Sequence, residues 1–360
     1  MKMRFNLGLA VFLGIMLLSS FVVGGCAEPA PTPAPVPTPA PAPAPPEPPP
    51  KPVTLRLASA LPPVDIVVGK LQEMADRFNA RTNGQYIIEV HAGGSLCSME
   101  ETFDMLRAGA IDMAESPIEY QTGDDVRFAA VTLPFLVDSL EANIEFLRLI
   151  NESLFDDIIA EKFNAMPVIV LSTGIHTYCG ATKPVETLED WSGLLVWVAN
   201  AAEADTVEAL DAAPVPLPFF EGYPAIEKGI VDAGVGVNPT GVWNFHWYEA
   251  IRYITVANMF ATSGYVYINL DVYDAMPGDI QDILLEECQW CENELQEYLT
   301  QYAEDALVGL EDAGVEVYYL PEAERARWIE ASQSVIDDFF AQIGEADAQK
   351  ILDAAEEANQ

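Results

Sequence analysis

From Val53 onward, short β-branched runs alternate with helical patterns, and that alternation admits few folds. Val53–Ala58 reads as a strand. Val67–Arg81 follows with Val68, Leu71, Met74, Ala75 and Phe78 at helical spacing. Tyr86–His91 is a second strand, Gly93-Gly94-Ser95 turns into a helix over Met99–Arg107, and Ile111–Ala114 is a third strand. Helices are expected around Leu140–Ile150 and Leu154–Phe163, then a strand at Pro167–Ser172. Strands at Leu195–Val198, Ala213–Val215 and Ile230–Val235 are separated by helices at Ala201–Leu210 and Phe219–Lys228. This order predicts α/β layers built on parallel sheets.

One segment breaks the rhythm. Pro277 marks a helix start and Gly314 a stop, and the intervening pattern predicts a helix roughly 50 Å long. No a/d heptad is sustained along it, so it reads as a helix shared by two lobes rather than a coiled coil. A strand at Val315–Leu320 and helices over Glu322–Phe340 and Glu345–Ala358 complete the chain.

The N-terminus stands apart from this pattern. Lys2 and Arg4 precede a largely apolar run from Leu7 to Val23, which ends in Val23-Gly24-Gly25-Cys26. The run resembles a bacterial lipobox, in which cleavage before the cysteine follows its lipidation. Residues 1–25 are therefore expected to be a signal peptide, with Cys26 as the acylated residue. Fourteen of the chain's 27 prolines lie between Pro29 and Pro52, largely alternating with Ala. Such a segment builds neither ladder nor core and stays extended, so residues 26–52 read as a lipidated tether several tens of Å long at roughly 3 Å per residue.

The net charge is −39, and removal of Lys2 and Arg4 with the signal peptide takes it to −41. Nucleic acid and anionic lipid surfaces would be repelled. Only seven lysines are present. The excess of carboxylates fits either general solubility or adaptation to salt, where counter-ions screen the repulsion. Once Cys26 is lipidated, Cys97, Cys179, Cys288 and Cys291 remain, which allow three pairings. Cys288-Gln-Trp-Cys291 has the spacing of a redox motif, but Glu286, Glu287, Glu292 and Glu294 oppose the depressed thiol pKa such a motif needs. It reads as a structural thiol pair or a local disulfide.

Several blocks stand in a telling order. Ile88–Ala114 reads IEVHAGGSLCSMEETFDMLRAGAIDMA; LPFLV follows at Leu133–Val137, TKPVETLEDWSGLLVWV at Thr182–Val198, APVPLPFFEGYPAIEKGIVDAG at Ala213–Gly234 and EAIRYIT at Glu249–Thr255. This resembles the solute-binding subunits of tripartite ATP-independent periplasmic (TRAP) transporters, the DctP-type family, over nearly all of Val53–Leu352. The resemblance implies an α/β, two-lobed fold of the type II periplasmic-binding-protein class, with a long helix spanning both lobes at 278–312. It implies one lobe from 53–175 with approximately 263–285, and a second from 176–262 with approximately 315–352. It further implies an extracytoplasmic, lipid-anchored receptor that passes a small solute to a membrane permease, with no cofactor and no metal.

The candidate ligand contacts follow from the same blocks. Gly93-Gly94 permits a tight turn with exposed amides, which makes Gly94 a candidate for polar ligand groups. His176 and Tyr178 lie at a strand end where related proteins place ligand contacts. Tyr223 faces either a ligand or, with Ile226, the core. Asn238 follows the strand Ile230–Val235, at the carboxyl end where α/β sites sit. The family's carboxylate-gripping arginine stands in a Gly-x-x-x-Arg-Val setting; here that setting is Gly193-Leu194-Leu195-Val196-Trp197-Val198. With Trp197 at that place, the expected solute is neutral, aromatic or cationic, stacked on the indole. The competing expectation is that another cation, such as Arg127, takes a carboxylate. Two other function classes are weighed. No G-x-S-x-G, H-E-x-x-H or P-loop accompanies the three histidines, which speaks against an enzyme. An orphan sensor of the same fold is separated from a transport receptor only by what it partners.

Overall fold

The computed structural model describes residues 51–360, so the signal segment, Cys26 and nearly all of the tether lie outside the described residues. Nine strands form one sheet: β1 (Val53–Ser59), β2 (Tyr86–His91), β3 (Met113–Glu115), β4 (Ala165–Gly180), β5 (Leu195–Val198), β6 (Ala213–Pro216), β7 (Ala233–Gly234), β8 (Tyr253–Asn269) and β9 (Glu316–Tyr319). Their order is β2-β1-β3-β8-β4-β7-β5-β6, with β9 pairing β8.

The sheet is mixed, which corrects the expectation of parallel sheets alone. β1 pairs β2 and β3 in parallel, and β5 pairs β6 and β7 in parallel. Between these two groups run β4 and β8, of 16 and 17 residues, antiparallel to each other. β8 meets β3 through Met113↔Ile268, and β4 meets β7 through Cys179↔Gly234. Two long strands thus pass through both halves of the molecule. Their pairing shifts register between Pro167 and Ile169, Ser172 and Gly174, and His176 and Tyr178. The first two shifts each insert one residue in β4, whereas the third sets Thr177 against residues 256–259 of β8.

Helices cover the sheet and divide the core. Ile66–Arg81 starts on Asp65, whose side chain accepts from the Val67 amide, and it buries Leu71, Met74 and Phe78. Leu140–Ile150 starts on Ser139 in the same way and buries Phe146 and Leu147. One side of the first half is an aromatic core in which Phe103 meets Phe163 at 4.4 Å and Tyr267 at 4.7 Å. Burying a ring of this size stabilises by about 1.5–3 kcal/mol. The helix Gly278–Asp312 places Leu284, Leu295 and Leu299 in the core with Leu71, while Leu310 packs with Ile226 and Trp247 of the second half. Residues 315–352 do not all go with the second half. Trp328 packs with Trp191 and Val196 there, whereas Phe339 and Ile351 belong to the first half's aromatic core. One buried stripe along Glu322–Ile343 serves both, Trp328 near its start meeting one core and Phe339 near its end the other.

Candidate functional site

A cavity opens where the two halves meet. Glu115 reaches it from the carboxyl end of β3, and Glu119 and Tyr120 from the turn that follows. Thr173 and His176 reach it from β4, Ser263 and Tyr265 from β8. Phe219, Asn238, Asn244 and Phe245 come from the second half, and Leu295 and Leu299 from the long helix. Thr173 is the extra residue of the Ser172/Gly174 shift, so the bulge supplies a wall residue.

The acidic wall is built into the sheet. Ser59 and Glu115 are register partners, and the Ser59 hydroxyl donates to Glu115 Oε2 at 2.7 Å. Burial pushes the Glu115 carboxyl up to about 7 against that hydrogen bond, and nearby Asp65 adds to the rise. Glu119 accepts from the Ser263 hydroxyl at 2.5 Å and the Ser263 amide at 3.3 Å, and its carboxyl is also raised by burial. Asp65 lines the same cavity, raised by burial while it caps its helix. Among the described residues, the cavity wall contains no lysine and no arginine.

The opposite wall is held by amides and an imidazole. Asn238 Nδ2 donates to the Thr173 carbonyl at 2.8 Å, and its Oδ1 accepts from the Gly241 amide at 2.7 Å and the Thr240 hydroxyl at 2.6 Å. His176 Nδ1 lies 2.9 Å from Glu203 Oε1. Glu203 is fully buried, and its Oε2 accepts from the Ala199 amide at 2.7 Å. The imidazole is therefore oriented by a carboxyl outside the cavity, leaving its Nε2 edge without a fixed protein partner. Tyr265 is buried, and its hydroxyl has no hydrogen-bond partner.

Of the residues singled out in the sequence, His176 and Asn238 line the cavity and the other four do not. Trp197 is fully buried below the wall: its Nε1 donates to the Leu217 carbonyl at 3.1 Å, and its ring lies against Trp247 at 5.2 Å and Phe219 at 6.0 Å. Gly222 and Gly234 make the space, since a Cβ on either would stand 2.6 or 2.7 Å from the indole. Phe219, not Trp197, presents the ring to the cavity. The Tyr178 hydroxyl donates to the Lys183 carbonyl at 2.8 Å, and its ring meets Trp191 edge-on. Tyr223 packs toward Trp247. The Gly94 amide donates to the Ser59 carbonyl at 3.1 Å, so it is engaged by β1 rather than open to a ligand. Arg127 is held by Asp125 at 2.7 Å and Asp347 at 3.0 Å and does not line the cavity.

Sequence reasoning missed Glu115, Glu119, Phe219 and Tyr265. The usable signal was position: Glu115 and Glu119 follow a strand that pairs in parallel with β1, at its carboxyl end. Cys97, Cys179, Cys288 and Cys291 are free, buried thiols, and burial pushes Cys291 up to about 12. The Cys288–Cys291 pair is thus structural and unreactive, without a disulfide. Among the described residues, no group of three or more His, Cys, Asp or Glu is gathered to hold a metal ion.

The family model described as bacterial extracellular solute-binding protein, family 7 (DctP), matches residues 57–343. The C4-dicarboxylate-binding periplasmic protein DctP of Rhodobacter capsulatus is 25% identical over 280 residues, which is 76% of this chain and 82% of the relative. The 2,3-diketo-L-gulonate-binding periplasmic protein YiaO of Escherichia coli K12 is 23% identical over 270 residues, covering 74% and 80%. Among solved structures, the sugar acid binding protein DctPAm of Advenella mimigardefordensis with galactonate superposes with a TM-score of 0.79 at 21% identity, covering 86% of this chain and 99% of that one. With the family model spanning most of the described residues, and two-lobed receptors sharing its fold, the chain belongs to family 7 of the bacterial extracellular solute-binding proteins and is a solute receptor of the TRAP type.

Proposed function

We propose that a small organic solute is captured in the cavity between the two halves and passed from there to a TRAP permease, while an acyl chain on Cys26 keeps the receptor at the membrane. The observation that carries this reading is the composition of the cavity wall, to which both halves contribute. A solute touching Glu119 on one side and Asn238 on the other favours closure, because only the closed form makes both sets of contacts. His176 and Asn238 act as polar contacts for the solute. The hinge falls at the β4 register shifts, with 53–175 and about 263–285 moving against 176–262. The relatives' printed names, a C4-dicarboxylate receptor and a diketogulonate receptor, support a solute of metabolite size.

The test is a thermal-shift screen of the soluble domain against a library of small organic metabolites. At least one solute should raise the melting temperature, with a stabilisation that grows logarithmically with its concentration and reaches about 2.7 kcal/mol at a hundredfold excess over Kd. Asn244→Trp, which places an indole on the wall, should abolish the response. A library without any such concentration-dependent response would count against the reading.

A further inference from the structure

The cavity wall carries three carboxyls, from Asp65, Glu115 and Glu119, and no basic side chain except His176, which is itself turned toward the buried Glu203. We infer that the solute is a small organic cation, an ammonium or amidinium on an apolar body, with Glu115 and Glu119 as its counter-charges. The inference rests on the receptor reading and specifies the ligand class that this cavity takes.

Four observations support it. First, the cationic side chains that might balance the wall are engaged elsewhere: Arg127 with Asp125 and Asp347, Arg325 with Asp138, and Lys70 with Glu73 and Glu294. Glu115 and Glu119 have serine hydroxyls and an amide as hydrogen-bond partners and no lysine or arginine beside them, and the one nearby basic group is His176, which acts on Glu119. An anionic solute entering this space would meet carboxyls without a charge-assisted partner, and leaving its own charge buried and unpaired is costly. Secondly, Tyr265 is a lining residue of the same cavity, and its buried hydroxyl has no hydrogen-bond partner within the protein. A hydroxyl accepts from an ammonium N–H as readily as it donates to an acceptor.

Thirdly, the same cavity carries aromatic rings. Phe219 and Phe245 line the cavity with their centroids 5.7 Å apart, backed by Trp197. Their π faces suit both an apolar body and the positive edge of an ammonium group. Finally, the absence of a three-ligand cluster among the described residues points to an organic cation rather than a metal ion. The alternative is that Glu115 and Glu119 stay protonated and donate to a neutral solute, and the head-group comparison below separates the two.

Isothermal titration at pH 8 is carried out with matched probes: benzyl, cyclohexylmethyl and n-butyl bodies, each bearing an ammonium, a hydroxyl or a carboxylate head. The ammonium member should bind at least about tenfold tighter than its hydroxyl and carboxylate counterparts on one or more bodies. Glu115→Gln and Glu119→Gln, which keep the shape of the side chain, should each weaken ammonium binding by about tenfold and leave hydroxyl members within about twofold. Wild type alone decides if either variant fails to fold. A carboxylate or hydroxyl member that binds as tightly as the ammonium overturns the inference, as does ammonium binding indifferent to both variants. If none of these probes binds while the metabolite screen finds a solute, the cation inference falls and the receptor reading stands; silence in both overturns both.

Discussion

The side chain of Asn238 lies so close to Gly174 that a Cβ on the glycine would stand 2.6 Å from Asn238 Nδ2. Gly174 also has φ +136°, a conformation that L side chains rarely adopt. The contact lies beside the register shift of β4, where the Asn238 amide also holds the Thr173 carbonyl. Gly174→Ala should therefore lower stability by about 1–3 kcal/mol in urea unfolding and weaken solute binding. Asn238→Ser, which shortens the opposing side chain, should recover part of the loss in the double variant. Simple additivity of the two changes would show that the close approach is not the cause.

The sequence resemblance sets Trp197 at the place of the family's carboxylate-gripping arginine, yet its indole is enclosed by Gly222, Gly234 and Trp247. An arginine there would bury an unpaired charge, so Trp197→Arg should fail to fold or lose about 3–5 kcal/mol. It should not gain carboxylate binding. Trp197→Phe should lower the melting temperature while leaving solute affinity within about twofold, since Phe219 and not Trp197 lines the cavity. A stable Trp197→Arg variant that binds a dicarboxylate would contradict this packing.

Glu115 links the site to pH. In the unfolded chain its carboxyl ionises near 4.5, whereas burial holds it up to about 7 in the fold. Between these values the native state retains a proton that the unfolded state has lost, so stability falls as pH rises. The penalty is absent below about pH 4.5 and complete above about pH 7, and it amounts to roughly 3 kcal/mol. Glu115→Gln removes it. The variant should therefore gain stability relative to wild type from pH 5 to pH 8, measured by urea unfolding at each pH. A difference independent of pH would place the Glu115 carboxyl in the ordinary range.

The anchor is tested separately from the fold. Cys26→Ser should leave uncleaved precursor or release soluble protein, whereas wild type should stay with membranes through plain-buffer washes. Wild type that washes off as readily as the variant would remove the lipid from the account.

The parts of this fold that were legible are those set by local pattern. Val68, Leu71, Met74 and Phe78 lie on one face of a helix because their spacing alone requires it. β8 was not legible. Nearly all of Phe260–Asn269 is buried, so its residues show no alternation between apolar and polar faces, and Asn258 and Gly264 interrupt the β-branched pattern. Its pairing with β4 joins residues 73 (Gly180↔Tyr253) to 104 (Ala165↔Asn269) positions apart, which no short window reports. The same limit applied to the site. Asn238 and His176 were singled out and line the cavity; Glu115 and Glu119 were hidden among 56 acidic residues. Trp197 was misplaced because Val196, Trp197 and Val198 are all buried, and strand parity does not say which face adjoins a cavity.

The central claim is that the cavity between the two halves holds one solute, reversibly. Native mass spectrometry of freshly purified, unrefolded protein measures this directly. The account predicts a single small-molecule adduct per chain that is lost on dialysis against denaturant and refolding, and that does not form in Asn244→Trp. Adducts unaffected by Asn244→Trp, or several per chain with no saturation, would contradict it.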